Sequence, residues 1–343
     1  MTVKELAKMD ESLWDSFVQK KTDATFYHQI AWRRLIENVY GDKFKPIYLV
    51  AKDDGQINGI LPLFLSNHWL FGKKLISSPF AIFGGCCADS ESIEDKLITK
   101  AIELCDNLDA DYLELRTINP KRNDLLSNSN YNTLILELTD DPQRLWKNFR
   151  KGIKQSVKTA EKNNVKVDLD FQNIDEFYAI YSQGQRNLGT PVQSYTWIKN
   201  LYDEFKDCHS MAVAYNQDKV IAVQFIRKFK DTVSSVLAYA LPEYKNLCPN
   251  HILIWKLIKN ACKEGYKQFD FGRSLPDSST FYFKTGWRAQ PIQLHYQFYL
   301  NKIKTIPDTS QTNTKRQQLT KIWKKLPLSV ANSFGPIIRN CFP

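Results

Sequence analysis

The chain lacks nearly all of the short signatures that announce a particular chemistry. Its five histidines, at 28, 68, 209, 251 and 295, include no two at the spacing of a metal pair. The seven cysteines (86, 87, 105, 208, 248, 262 and 341) contain no C-x-x-C, so no zinc knuckle or dithiol redox site is expected. Cys248 and His251 stand three residues apart at a helix start, a spacing read here as capping and packing. G-x-S-x-G, H-E-x-x-H and the P-loop pattern are missing, and Asp270-Phe271-Gly272 has no accompanying His-Arg-Asp loop of a protein kinase. No apolar run reaches the roughly 18 residues of a spanning helix. The longest candidate, residues 75–88, is broken by Pro79 and Gly84-Gly85. The first residues, MTVKELAKMDESLW, do not read as a secretory leader, so a reducing, cytoplasmic setting with thiols as small core residues is expected. Acidic residues are also short, 37 against 47 lysines and arginines. The surplus of +10 predicts anionic partners: phosphate, nucleic acid or a membrane face.

What is present is a repeat. VAKDDGQINGI from Val50 and VAYNQDKVIAV from Val213 align without a gap, 163 residues apart, and each reads as strand, tight turn, strand. Further on, DYLELRT (Asp111 to Thr117) resembles QFDFGRS (Gln268 to Ser274); both are β-patterned, follow a helical stretch and end near an arginine. A period of this length is one domain used twice. With 343 residues and 43% hydrophobic content, each copy can bury its own core. The second copy adds Asp270, Arg273, Lys284 and a cluster of aromatics, which predicts one copy for binding and one for reaction.

Strand, helix and hairpin patterns alternate, predicting an α/β chain (α+β mixed sheets) of two similar domains, 1–140 and 141–300, with a basic linker and tail over 301–343. The strand at 131–138 is expected to close the first half and that at 293–300 the second. Between them one long helix is expected from Pro142 to about Asn163. Residues 144–162 hold seven cations and one acid, so the segment carries +6. Lys147, Lys151, Lys154, Lys158 and Lys162 recur at steps of three and four, on one helical face. Like charges at that spacing destabilise an isolated helix, which suggests with Arg150 an anion-binding surface; a merely solvated face is the alternative. The tail, KIWKKLPLSVANSFGPIIRNCFP, joins a basic cluster to Trp323 and an uncharged run over 326–338. It fits either an anionic membrane face or docking on its own domain.

These features together resemble the Fem-type (FemAB-like) peptidoglycan-bridge aminoacyltransferases and their exopolysaccharide-associated acyltransferase relatives. The similar stretches are YHQIAW, INGILPLFL, FGKKLISSPFAIFGG, YLELR, LWKNFRKGIKQSVKTAEKNNVKV, GQRNLGTPV, PNHILIW, FDFGRS and FYFKTGW, with WKKLPLSVANSFGP nearest the exopolysaccharide branch. The resemblance implies tandem duplicated GNAT-like acyltransferase domains, the first for acceptor binding and the second catalytic. It implies transfer of an acyl or aminoacyl group from an activated ester to an amine on a cell-envelope or exopolysaccharide precursor. No bound cofactor or metal is implied; the anionic donor, an aminoacyl-tRNA or acyl-CoA, is a co-substrate, and the acceptor is a lipid-linked or nucleotide-linked sugar. Phe283-Lys284 matches the family's reaction-centre pair, and Lys284 would stabilise negative charge developing on the carbonyl oxygen or the leaving ribose. Arg186 matches a position on acceptor phosphate. Asp270 is read as a proton acceptor or as the orienter of Arg273. Tyr282, Arg116, Gly84 and Gly85 are placed on substrate, although Arg116 paired with Glu114 is an equal alternative. The chain departs from the family in having no paired long heptads for a coiled-coil arm. The GNAT pyrophosphate pattern is also missing, since Arg186-Asn187-Leu188-Gly189 runs into Thr190-Pro191. Two other readings stay open: an acetyl-CoA-dependent acetyltransferase, and a non-catalytic, membrane-peripheral scaffold of polysaccharide assembly.

Overall fold

The computed structural model describes residues 1–68, 72–307 and 314–341. Phe71 of the FGKK stretch and part of the polar linker expected after Asn301 lie outside them. The chain forms two compact units.

In the first unit the elements run β1 (Thr2–Glu5), α1 (Glu11–Lys20), α2 (Ile30–Tyr40), β2 (Phe44–Asp53), β3 (Gln56–His68), β4 (Gly72–Ser77), β5 (Cys87–Ala88), α3 (Glu91–Asn107), β6 (Tyr112–Thr117) and β7 (Leu126–Asn128). The second unit follows with β8 (Asn132–Glu137), α4 (Pro142–Asn148), α5 (Lys151–Lys162), β9 (Lys166–Phe171), α6 (Ile174–Leu188), α7 (Tyr195–Glu204), β10 (His209–Asn216), β11 (Lys219–Phe229) and β12 (Thr232–Ala240). It continues through α8 (Pro249–Lys263), β13 (Gln268–Ser274), α9 (Ser279–Gly286) and β14 (Gln290–Gln293). After β15 (His295–Leu300) come α10 (Thr314–Trp323) and α11 (Leu328–Arg339).

The repeat read from the sequence is structural. In each unit an antiparallel hairpin, β2–β3 or β10–β11, leads to a further strand, a helical crossover and a parallel partner, β4–α3–β6 or β12–α8–β13. The first hairpin turns at Asp54 (φ 45°) and Gly55 (φ 81°), left-handed positions that a two-residue hairpin loop requires. Both hairpins bulge at the same aligned place, between Ala51 and Lys52 and between Ala214 and Tyr215. A matched irregularity is stronger testimony to duplication than matched strands, because a bulge has no compositional reason to recur. Helices α3 and α8 pack apolar faces (Leu97, Ile98, Ala101 and Cys105; Ile252, Leu253 and Ile258, among others) into separate cores.

Two strands lie in the opposite unit from the one their sequence position suggests. The sheet orders are β1-β2-β3-β4-β6-β15-β7 and β14-β8-β13-β12-β11-β10-β9. The strand expected to close the first half, β8, pairs antiparallel with β13, and β15 returns to β6. The units are thus Met1–Tyr131, Gln293–Ser310 and Asn340–Pro343 on one side, and Asn132–Ile292 and Gln311–Arg339 on the other. The long helix expected over 142–163 is two helices. Phe149 (ψ 148°) and Arg150 (ψ 146°) are extended, because the Phe149 ring turns inward onto Trp255 and Trp287, at 5.7 and 5.1 Å between centroids. Among the described residues no helix is long and apolar enough to cross a membrane. All seven cysteines are free, and five are buried.

Gly184 of α6 packs directly against an aromatic ring. A Cβ there would come within 2.3 Å of the Tyr239 ring, whose hydroxyl accepts from Asn187 at 2.9 Å. Helix propensity alone favours alanine by about 1 kcal/mol, but overpacking against a pinned ring costs about 1–3 kcal/mol. Gly184→Ala is therefore expected to lower the urea midpoint. An unchanged or raised midpoint would mean that the ring moves aside freely.

Candidate functional site

The two parallel strand pairs that end the crossovers are alike in register and unlike in finish. β4 meets β6 over Lys74–Ile76 and Tyr112–Glu114, and β12 meets β13 over Thr232–Ser234 and Gln268–Asp270. Glu114 and Asp270 therefore hold equivalent places. Beyond that point the first unit closes itself. Arg116 donates to Glu114 at 2.8 Å and to the Ala81 carbonyl at 3.1 Å, and its own N–H donates to Ser77 Oγ. Gly84 N–H donates to Arg116 O, and a Cβ on Gly84 or Gly85 would meet Ser78 or Thr117 at 2.8 Å. These glycines permit close packing at the end of β6, and Arg116 takes the pairing with Glu114.

The second unit opens at the same place. β12 carries an extra residue opposite Phe225–Ile226, and β13 carries one between Asp270 and Arg273. The β13 bulge uses Gly272 at φ 73°, a conformation that costs glycine little. Asp270, only 4% exposed, spends Oδ1 on Thr133 Oγ1 and on Gly272 N–H, both at 2.8 Å, which pins the bulge. The inserted residue leaves Arg273 exposed and the carbonyls of Gly272 and Arg273 turned toward α9. Lys284 Nζ donates to them at 2.9 and 3.1 Å. Burial pushes the Lys284 amine down to about 8, against the pull of Asp270 and with help from Arg273. Beside it, Phe283 packs edge-on to His251 at 5.1 Å, and burial lowers that imidazole to about 4, so it is neutral near pH 7. Strands whose pairing ends at Ser234 and Asp270 can receive an extended amide chain beyond that point, and an ammonium at the bulge can face a carbonyl oxygen gaining charge.

Of the other residues singled out by sequence, Tyr282 shares α9 with Lys284 and Arg186 lies on α6. Tyr282 is 53% exposed and donates to Asp277 at 2.9 Å. Arg186 donates to the Lys324 carbonyl at 3.3 Å, closing the end of α10, and Nε makes no hydrogen bond.

The basic segment gains a feature from its break. Lys147, Asn148, Phe149, Arg150, Lys151 and Arg288 line a shallow depression of about 690 Å³ at the start of α5. No side chain caps this helix, and its first turn holds no acid. Arg288 Nε donates to Asn148 O at 2.8 Å and Lys154 Nζ to Lys147 O at 3.0 Å, so both close the end of α4. Lys147, Arg150, Lys151 and Lys158 are exposed. Arg150 N–H donates to Gly286 O at 3.1 Å, which fastens this cationic edge to the helix that presents Lys284. Arg288, Thr133 and His251 were not legible as site residues, since each acts through a partner distant in sequence. Among the described residues no group of three or more His, Cys, Asp or Glu could hold a metal ion.

With this geometry in view, the comparisons are specific about fold. Residues 147–284 match the family model of the acetyltransferase (GNAT) domain. The chain is similar in structure to FemX, with a TM-score of 0.67 at 12% identity over 88% of this chain and 98% of that one. It is similar to the C-terminal domain of a protein assigned as a lysylphosphatidylglycerol synthetase from Agrobacterium fabrum, at 0.59 and 12% over 86% and 92%. A tandem GNAT protein from the clavulanic acid biosynthesis pathway matches at 0.52 and 9% over 89% and 99%. No curated protein sequence matches. The fold is a tandem GNAT fold with two mixed sheets, and the domain match supports an acyltransferase that uses an acyl donor and an amine acceptor.

Proposed function

We propose that the protein moves an acyl or aminoacyl group from an activated ester to an amine on a cell-envelope or exopolysaccharide precursor, with the reaction centre in the second unit. The observation that carries this reading is Lys284, held by two backbone carbonyls at the β13 bulge, beside the parting of β12 and β13. In this mechanism the amine attacks the ester carbonyl, the Lys284 ammonium stabilises the oxyanion, and the acyl carbon–oxygen bond to the donor breaks as the departing alkoxide takes up the proton that the amine sheds. Phe283 and Trp287 keep water from the ammonium stem. Asp270 serves as a positioning residue, because its carboxylate shapes the bulge. The FemX and lysylphosphatidylglycerol synthetase likenesses make an aminoacyl donor and a lipid-borne acceptor the favoured substrates.

The donor's phosphates are assigned to the basic edge: Lys147, Arg150, Lys151, Lys154 and Lys158, with Arg288 added by the structure. Replacing Lys147, Lys151 and Lys158 by Gln tests this without disturbing the two side chains that close α4. Each phosphate left without its lysine should lower the slope of log affinity against log salt by about 0.7–0.9, so the triple variant should lose about 2–3 units of slope for a charged tRNA. An unchanged slope would return these lysines to plain solvation.

An acetyl-CoA-dependent acetyltransferase is the second reading, favoured by the domain match itself. Against it, the segment 241–249 that leads into α8 contains no glycine, and Pro249 brings no N–H to the first turn where a pyrophosphate would be cradled. Thermal stabilisation by aminoacyl-tRNA, acyl-CoA or neither separates the two enzymatic readings from a binding-only scaffold.

A further inference from the structure

Helices α10 and α11 dock on α6 and the segment after it with only part of their surface. Ala331 and Gly335 are buried, a Cβ on Gly335 would meet Val192 at 2.9 Å, and Asn332 donates to Ser182 Oγ at 3.3 Å. The rest is unlike ordinary solvated surface. Leu319, Ile322, Phe334 and Ile337 are 65, 60, 57 and 63% exposed, four of the ten large hydrophobic residues exposed among the described residues. In each helix the two stand three positions apart, on one stripe. The charge around them has a single sign: after Asp308 the sequence holds six lysines or arginines and no acid, and Lys321, Lys324 and Lys325 are exposed.

An RNA would be served by the cations, but its phosphates offer nothing to Phe334 or Ile337. Helix α5 shows the contrast, since it turns Ile153, Val157 and Ala160 inward and leaves only polar and charged residues outside. We infer that α10–α11 is a membrane-contact surface for an anionic bilayer, with its apolar residues at the headgroup–acyl boundary and its lysines on lipid phosphates. The inference goes beyond the transferase reading and does not depend on it.

The test is flotation of the full chain with phosphatidylcholine vesicles, with and without phosphatidylglycerol. Binding is expected only with the anionic lipid and should fall as salt rises. F334S/I337S should cut partitioning at least about tenfold, and K321Q/K324Q/K325Q by about a hundredfold. All five side chains are exposed, so melting curves should match the parent, and turnover of a soluble amine acceptor should not change. Failure of any anionic vesicle to bind, or binding indifferent to both sets, overturns the proposal. So does loss of RNA retention in the lysine variant with vesicle binding intact. A fall in soluble turnover with no change in flotation would place these residues in the fold or the reaction instead of at a bilayer, and overturns the proposal as well.

Discussion

Lys284→Ala is expected to lower kcat by about 10²–10³-fold while leaving the acceptor KM nearly unchanged, the pattern of an interaction made in the transition state. A second readout separates chemistry from packing. The amine stands near 8 because burial, helped by the charge of Arg273, outweighs the pull of Asp270. It is needed charged, so kcat should fall as pH rises through about 8 and hold steady below. Lys284→Arg, which stays protonated, should shift or erase that alkaline limb while retaining part of the rate. Unaltered turnover in the alanine variant, or a rate that climbs through pH 8, would remove Lys284 from oxyanion stabilisation.

Trp287→Ala should have the largest effect on stability. The ring is fully buried and lies 5.1 Å from Phe149, 6.3 Å from Phe271 and 6.4 Å from Phe283. It is the common wall behind the α4–α5 break and the helix that carries Lys284. Removing such a side chain costs about 3–5 kcal/mol. Its Nε1 makes no hydrogen bond, so Trp287→Phe loses packing volume without orphaning a partner and should cost markedly less. Denaturant titration of the three proteins measures the order. Small losses in both variants would mean that the ring matters little and that the two edges are held by other side chains.

Much of the fold was legible because it rests on short-range pattern. The hairpins at Asp53–Gln56 and Asn216–Lys219 are alternation plus turn chemistry, and the crossover helices α3 and α8 are amphipathic periodicity. Lys284 and Phe283 stood out by family resemblance, and the structure puts them on α9, from which the Lys284 amine reaches the β13 bulge. Arg116 and Arg273 looked equivalent in sequence. Their fates diverge because one inserted residue in β13 turns Arg273 outward, whereas Arg116 stays in register with Glu114. Arg186 looked like a ligand for phosphate, yet its guanidinium donates to a carbonyl more than a hundred residues away.

The sequence by itself determined that one α/β unit is used twice and that positive charge gathers on the segment after the first copy. Each follows from neighbours along the chain. Tertiary structure alone decided that β8 and β15 complete the opposite sheets, that Phe149 splits the basic helix, and that Asp270 serves Thr133 and Gly272. A strand's alternation states which face is apolar but not which edge it will join. That choice, like a bulge or an inward-turning ring, depends on partners that only the folded chain brings within reach.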